Sequence, residues 1–232
     1  LGAGVQEGGD EASAVPDAVE AGEQTFGEQP DEVLFDGNFV TGENLRQLEE
    51  EGINAVAPSE GVREDNPALR PDPTQPVTDD EIEKILDRKG KLNKATFFYD
   101  AVLDRYLCPM GRELPYYRNV TRSTKNGEKQ TAREYRCRDC SDCPLAPKCL
   151  SRKAKARTVC RDQYEPCRER LTERMLTDEA KQSYSRRAPV VEGVFGSIKG
   201  AMGIRSFLTR GRRKVEAEWR WMCGALSLRR LM

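Results

Sequence analysis

Eight cysteines are the first residues in this chain whose type and spacing suggest chemistry: Cys108, Cys137, Cys140, Cys143, Cys149, Cys160, Cys167 and Cys223. Four fall in CRDCSDCPLAPKC at 137–149, and Cys108 sits in the turn-forming LCPMG at 107–111. Closely spaced thiolates joined to a distant one fit tetrahedral zinc. Four thiolates also bind iron–sulfur clusters, and in an oxidising compartment such cysteines form disulfides instead. Five cysteines compete for four positions. We favour Cys108, Cys140, Cys143 and Cys149, with Cys137 as a spare or exchange ligand. Four thiolates leave no open coordination position, so a Zn2+ held there is structural. Cys160 and Cys167 are more isolated, and Cys223 lies in an apolar helix where a buried thiol is ordinary.

Histidine is absent. That excludes His-dependent triads, His-based zinc enzymes and the usual neutral-pH general base. Catalysis here must run on carboxylates, cysteines or metal ions. The most informative carboxylate is Glu192 in VVEGVFGSIKG at 190–200. Val191, Val194, Phe195, Ile198 and Met202 recur at helical spacing and predict one buried stripe. Glu192 and Lys199 are two turns apart and share a face beside it. An acid and a lysine on one face are most often just solvated. Here, however, SYSRRAP precedes the pair and GIRSFLTRGRRK follows it, the cation density that phosphate contacts require.

The elements that must position these groups are legible in part. Residues 1–6 read as a short strand, 11–26 as a helix closed by Gly27, and EVLFDG (32–37) as a buried strand ending in Asp36. A helix over 41–52 is opened by Thr41 and closed by Gly52, and INAVAP (53–58) is a second strand. That order is the signature of an α/β domain with a mainly parallel sheet. Residues 59–80 are rich in Pro, Asp and Glu and read as an exposed, partly disordered linker before a short charged helix at 79–90. Tyr99, Tyr106, Tyr116, Tyr117 and Tyr135 share the 97–150 segment with the clustered cysteines. From about 161 the pattern is helical to the end, broken at 185–189 and 209–214. In the last helix Val215, Trp219, Met222 and Leu226 form a packing face, with Trp221 off it and free to touch another chain.

A net charge of −1 over 232 residues conceals two halves. Residues 1–90 carry 6 Lys/Arg against 23 Asp/Glu, whereas residues 91–232 carry 32 against 16. The basic part suggests a polyanionic partner. No apolar run reaches the ~18–20 residues of a membrane span. With no leader-like segment, a cytoplasmic location is the default.

YSRRAPVVEGVFGSIKGAMGIRSFLTRGRRKVEAEW, from Tyr184 to Trp219, resembles the closing region of DDE transposases of bacterial insertion sequences. Tyr184 and Arg187 keep the Tyr-x2-Arg spacing of their YREK class, and Glu192 and Lys199 keep Glu-x6-Lys. Four residues rather than three separate Arg187 from Glu192, so Arg186 competes for the arginine position. EVLFDGNFVTGENLRQLEEEGINAVAP (32–58) is similar to the family segment with the second catalytic Asp, which maps onto Asp36; Phe39 stands where the family often has Tyr. The family's first Asp finds no match, since Asp10, Asp17 and Asp31 lie in turn or helix contexts. The chain, opening on Leu1, is therefore read as a C-terminal part that starts after the strand bearing it.

The resemblance implies an α/β, ribonuclease H-like catalytic core lacking its first strand, interrupted by a zinc-binding insert and closed by helices. The boundaries expected are 1–58 for the partial core, 59–96 for linker and short helix, 97–160 for the insert and 161–232 for the helical part. It further implies Mg2+ held by Asp36 and Glu192, with Tyr184, Arg187 and Lys199, joined by the basic Arg210, Arg212 and Arg213, on transposon-end DNA. Two Mg2+ ions in such a core serve in-line phosphodiester displacement without histidine. Without the first Asp, the chain alone is expected to be inactive. The implied partners are insertion-sequence ends, target DNA and, at full length, further copies of the chain. The rival readings are a non-catalytic zinc-dependent DNA-binding protein and a decayed relic.

Overall fold

A computed structural model describes residues 11–63, 65–123, 129–138 and 140–231. The expected strand at 1–6 lies outside them. In chain order the elements are α1 (Val15–Phe26), β1 (Glu32–Leu34), α2 (Gly42–Glu50), β2 (Asn54–Val56), α3 (Asp79–Ile85), β3 (Phe98–Asp100), β4 (Arg105–Leu107), β5 (Glu113–Ser123), β6 (Lys129–Arg136), α4 (Ala146–Cys149), β7 (Thr158–Asp162), α5 (Glu165–Met175), α6 (Asp178–Ser185), α7 (Arg187–Gly196) and α8 (Arg212–Leu231). The chain divides into two compact units, Leu1–Pro58 with Glu173–Met232, and Ser59–Thr172. Among the described residues no helix is long and apolar enough to cross a membrane.

The first unit holds the predicted strand–helix–strand. β1 and β2 pair in parallel, Val33 opposite Ala55, and α2 makes the crossover such a pair needs. Thr41 caps α2, its Oγ1 accepting from Asn44 N at 3.1 Å. Leu45 and Leu48 are buried on one face of α2, and Ile53, Val56 and Ala57 are buried around β2. Each large aliphatic side chain so buried contributes about 1.5–3 kcal/mol. Asn44 is also buried, and its Nδ2 donates to Ala12 O and Phe39 O, tying the segment before α1 to the turn after β1.

Near the C-terminus, Ile198, Met222 and Leu226 are buried together, with Val194, Met202, Ile204 and Trp219 packed against them. That bears out the face read on α8, with Val215 half-buried beside it. The α7 stripe is narrower than expected, because Val191 and Phe195 are exposed. The break expected at SRRAP is present but only one residue long: α6 ends at Ser185, Arg186 turns, and α7 begins at Arg187. Pro189 falls in the first turn of α7, where no intrahelical N–H is lost.

The second unit is built on an antiparallel sheet that the sequence did not announce. Its strands run β3-β4-β5-β6-β7, each paired with its neighbour in the chain. β7 occupies 158–162, so the helical pattern starts at Glu165 rather than at about 161. Leu114 and Tyr135 are wholly buried, and Val77, Ile85, Leu92, Phe97, Tyr106, Leu145 and Val159 complete the core with Cys137 and Cys140. Residues 59–80, expected as an exposed linker, pack here: Asn66 is buried, its Nδ2 donating to Gly61 O and Ala95 O at 3.0 Å each. The molecule is thus a mixed α and β protein in which the larger sheet is antiparallel.

Candidate active site and cysteine cavity

The ladder of β1 continues one residue past the strand, Phe35 N donating to Val56 O at 3.2 Å, and Phe35 is buried. Asp36 follows in extended backbone and starts a 3-10 turn at Gly37–Phe39. Gly37 N donates to its Oδ1 at 2.5 Å. Its other oxygen, Oδ2, lies 3.5 Å from Arg187 Nη2 at the start of α7. Four residues earlier on each segment, Ser183 Oγ donates to Glu32 Oε1 at 2.8 Å. Two contacts therefore hold the α6–α7 junction against the β1 region.

Of the two arginines that compete, Arg187 reaches Asp36, whereas Arg186 is the exposed cap of α6. Tyr184 is half-buried on α6, and Glu192 is exposed on α7, one and a half turns beyond Arg187. The helix then widens into a π turn at Ser197–Ala201 that contains Lys199. The 3.6-residue period that would put Glu192 and Lys199 on one face does not run through it. The Lys199 ammonium lies 5.7 Å from the centre of the Phe195 ring, a local cation–π contact.

Arg210, Arg212 and Arg213 are all exposed. The loop that leads to them is held from α8: Glu218 accepts from Leu208 N at 2.8 Å, Thr209 N at 3.0 Å and Thr209 Oγ1 at 2.8 Å. The backbone bond from Leu208 is the main reason the Glu218 carboxyl sits below its ordinary range.

In the second unit, Cys108, Cys137, Cys140, Cys143 and Cys149 line one cavity of about 20 Å3, walled by Leu92, Met110, Leu145 and Arg157 among others. Cys108 reaches it from a tight turn in which its N donates to Arg112 O and Gly111 N donates to Cys108 O. Gly111 is required there: φ is 68°, and a Cβ would stand 1.9 Å from Thr74 O. Cys149 arrives on α4, and Arg157 N donates to Cys140 Sγ at 3.5 Å. Burial pushes the Cys149 thiol up to about 11 and raises Cys108 as well, while the charges of Cys108, Cys140 and Cys143 bear on Cys149. No disulfide joins the eight cysteines. Cys160 is half-buried, with Arg122 Nη2 at 3.0 Å from its sulfur, and Cys167 is buried. Cys223, expected to be buried, is half-buried on α8.

Among the described residues no group of three or more His, Cys, Asp or Glu is arranged to hold a metal ion. For the carboxylates the reason is plain: Asp36 is engaged by a backbone N–H and a guanidinium, and Glu192 stands in solvent. Two such acids do not by themselves fit a two-ion site. The cysteines share a cavity, and neighbouring ones act on Cys108 and Cys149, without converging as ligands of a common ion.

The sequence reading named neither Asp104 nor the ring cluster around it. Tyr135 Oη donates to Asp104 Oδ1 at 2.6 Å and Tyr99 Oη to the same oxygen at 2.8 Å, while Arg133 pairs with Oδ2. Tyr99, Tyr106 and Tyr135 lie with ring centres 5.0–6.0 Å apart. The crowding of five tyrosines into 97–150 was the available signal.

A family model described as a transposase DDE domain matches residues 107–232, more than half of the chain. The matched span includes the cavity cysteines, Tyr184, Arg187, Glu192, Lys199 and the basic loop, whereas Asp36 lies outside it. No curated protein and no solved structure matches. With the larger part of its length covered, this chain belongs to the transposase DDE domain family.

Proposed function

We propose that the chain serves DNA transposition by metal-dependent phosphodiester cleavage and strand transfer at insertion-sequence ends, with Asp36 and Glu192 as two of the three carboxylates of a ribonuclease H-like core. The observation that carries the reading is the ion pair between Arg187 and Asp36, which links the acid after β1 to the helix bearing Glu192. Bound Mg2+ supplies charge stabilisation to the attacking and leaving oxygens in such cores. The chain's own part is to present the two acids and to hold DNA phosphates through Tyr184, Arg187, Lys199, Arg210, Arg212 and Arg213. The third acid has no counterpart here, so this chain alone is expected to leave DNA uncut. A full-length protein would act as a homo-oligomer on its ends and target.

The test uses a chain completed with the strand that bears the family's first Asp. Glu192→Gln should abolish strand transfer of a labelled end duplex while leaving its affinity unchanged. Equal transfer by both proteins would remove Glu192 from the catalytic set, and no transfer by either with duplex binding retained would leave a non-catalytic zinc-dependent DNA-binding protein.

We extend the proposal to a structural Zn2+ held by Cys108, Cys140, Cys143 and Cys149, with Cys137 in reserve. Its support is the shared cavity, in which the neighbouring cysteines act on the Cys108 and Cys149 thiols. Zinc would offset the burial that raises the Cys108 and Cys149 thiols, because it binds the thiolate and releases the proton. Elemental analysis should find about one zinc per chain, lost in Cys140→Ser. Iron with labile sulfide would replace zinc by a cluster, and absence of both would end the metal reading.

A further inference from the structure

The antiparallel sheet carries an arrangement that this reading does not use. Between 118 and 134, β5 and β6 form a two-stranded ribbon in which Arg118 and Glu134, Val120 and Ala132, and Arg122 and Gln130 are cross-strand pairs on one face. Asn119 with Arg133, Thr121 with Thr131, and Ser123 with Lys129 are on the other. β7 pairs with β6 only over Ala132–Arg136, so the far part of the ribbon has no third strand beside it. Residues 112–161 hold 14 Lys/Arg against 5 Asp/Glu, a net of +9. Arg118 is committed to Glu134 and Arg133 to Asp104. Arg122, Lys129 and Arg136 have no carboxylate partner among the described residues.

The tyrosines show what this charge is for. Tyr116 and Tyr117 are exposed beside the bulge in β5, yet their rings are not open platforms. The Arg133 guanidinium lies 4.5 Å from the centre of Tyr116, and those of Arg118 and Arg136 lie 5.4 and 5.2 Å from the centre of Tyr117. A guanidinium resting on a ring keeps its edge N–H donors for phosphate oxygens. Occupied rings disfavour base stacking, which single-strand binding exploits, and favour backbone contact. A two-stranded ribbon also has the width that the major groove of a duplex admits.

We propose that the β5–β6 ribbon is a second docking surface for duplex DNA, independent of sequence, that grips phosphates through Arg122 and Arg136 on the face that carries Arg118. The choice of DNA as the polyanion rests on the transposition reading; the ribbon's geometry does not.

The experiment is fluorescence anisotropy of a labelled random-sequence duplex with the full chain across a salt series. The variant is Arg122→Gln/Arg136→Gln, which leaves no carboxylate unpaired among the described residues. The log affinity against log salt slope should become shallower by about 0.9 for each lost phosphate contact, about 1.8 for the two. Circular dichroism and the thermal midpoint should be unchanged. Should the double variant fail to fold, Arg122→Gln and Arg136→Gln measured singly should each give about 0.9. A parallel variant, Arg210→Gln/Arg212→Gln/Arg213→Gln, reports the basic loop. If that variant loses binding while the ribbon variant keeps the wild-type slope, the ribbon proposal is overturned and the transposition reading stands. If the wild type binds no duplex, both fall. Tighter binding of single-stranded DNA or RNA through the ribbon would overturn the duplex assignment alone.

Discussion

Arg187 Nη2 stands 3.5 Å from Asp36 Oδ2, and Ser183 Oγ reaches Glu32 four residues back along both segments. The two contacts share one offset, so the α6–α7 junction runs in step with β1. Asp36 and Arg187 are both partly open to solvent. Such a pair contributes under about 1 kcal/mol. Arg187→Ala should therefore shift the thermal midpoint by only a few degrees, while duplex affinity falls. Collapse of the fold, or affinity equal to wild type, would show that the arginine is structural instead.

Two glycines with the same φ of 68° make a matched pair of probes. At Gly90 an added Cβ meets nothing within 4 Å, whereas at Gly111 it meets Thr74 O. Gly90→Ala should cost only the left-handed penalty of about 1–2 kcal/mol. Gly111→Ala must also displace backbone, and with it the turn that carries Cys108, so its cost in urea unfolding should be larger. Equal costs would refute the close approach.

The Asp104 carboxyl is held below its ordinary value chiefly by the hydrogen bond from Tyr135, with Tyr99 and Arg133 adding to it. A depressed carboxylate contributes stability that is complete above its unfolded pKa, about 3.9, and is lost as pH falls through the folded value. Tyr135→Phe should destabilise by about 1 kcal/mol near pH 6, discounted for the exposure of Asp104. The gap between the two proteins should close as pH drops below about 4. Urea midpoints at both pH values measure it, and a pH-independent gap would place the effect in packing rather than in Asp104.

If zinc is held by the four cysteines, chelation should act locally before it acts globally. Hydrogen exchange should quicken at the amides of Cys143, Ala146 and Cys149, which close the turns around the cavity. The amides of Leu45 and Leu48 in the other unit should keep their protection. Unchanged exchange at the first set would argue that the thiols need no ion.

How much of this was legible depended on how local the signal was. β1, α2 and β2 were readable because Thr41 and Gly52, the latter at φ 75°, punctuate α2, because Leu45 and Leu48 mark its buried side, and because Ile53 leads into β2. The α8 face was readable for the same reason, through Met222 and Leu226. β5 was not, since only Leu114 of its eleven residues is buried, leaving no alternation of apolar and polar. On α7 the apolar period is real, but Val191 and Phe195 are exposed, and periodicity alone cannot say where burial stops. Around the candidate site, the charges of Asp36 and Glu192 were visible. The Asp36 to Arg187 contact was not, because pairing across so long a separation leaves no local trace.

The grip of Glu218 on the loop before α8 has a consequence for encounter with a nucleic acid. Three donors from Leu208 and Thr209 fix that backbone from a helix in advance of any ligand. Ordering a residue's backbone costs about 1–2 kcal/mol, and here that entropy is already spent on folding. If Arg210 and the cations after it do contact phosphate, as proposed, they would do so from a backbone already held at Leu208 and Thr209, and association would lose less freedom than it would from a slack loop.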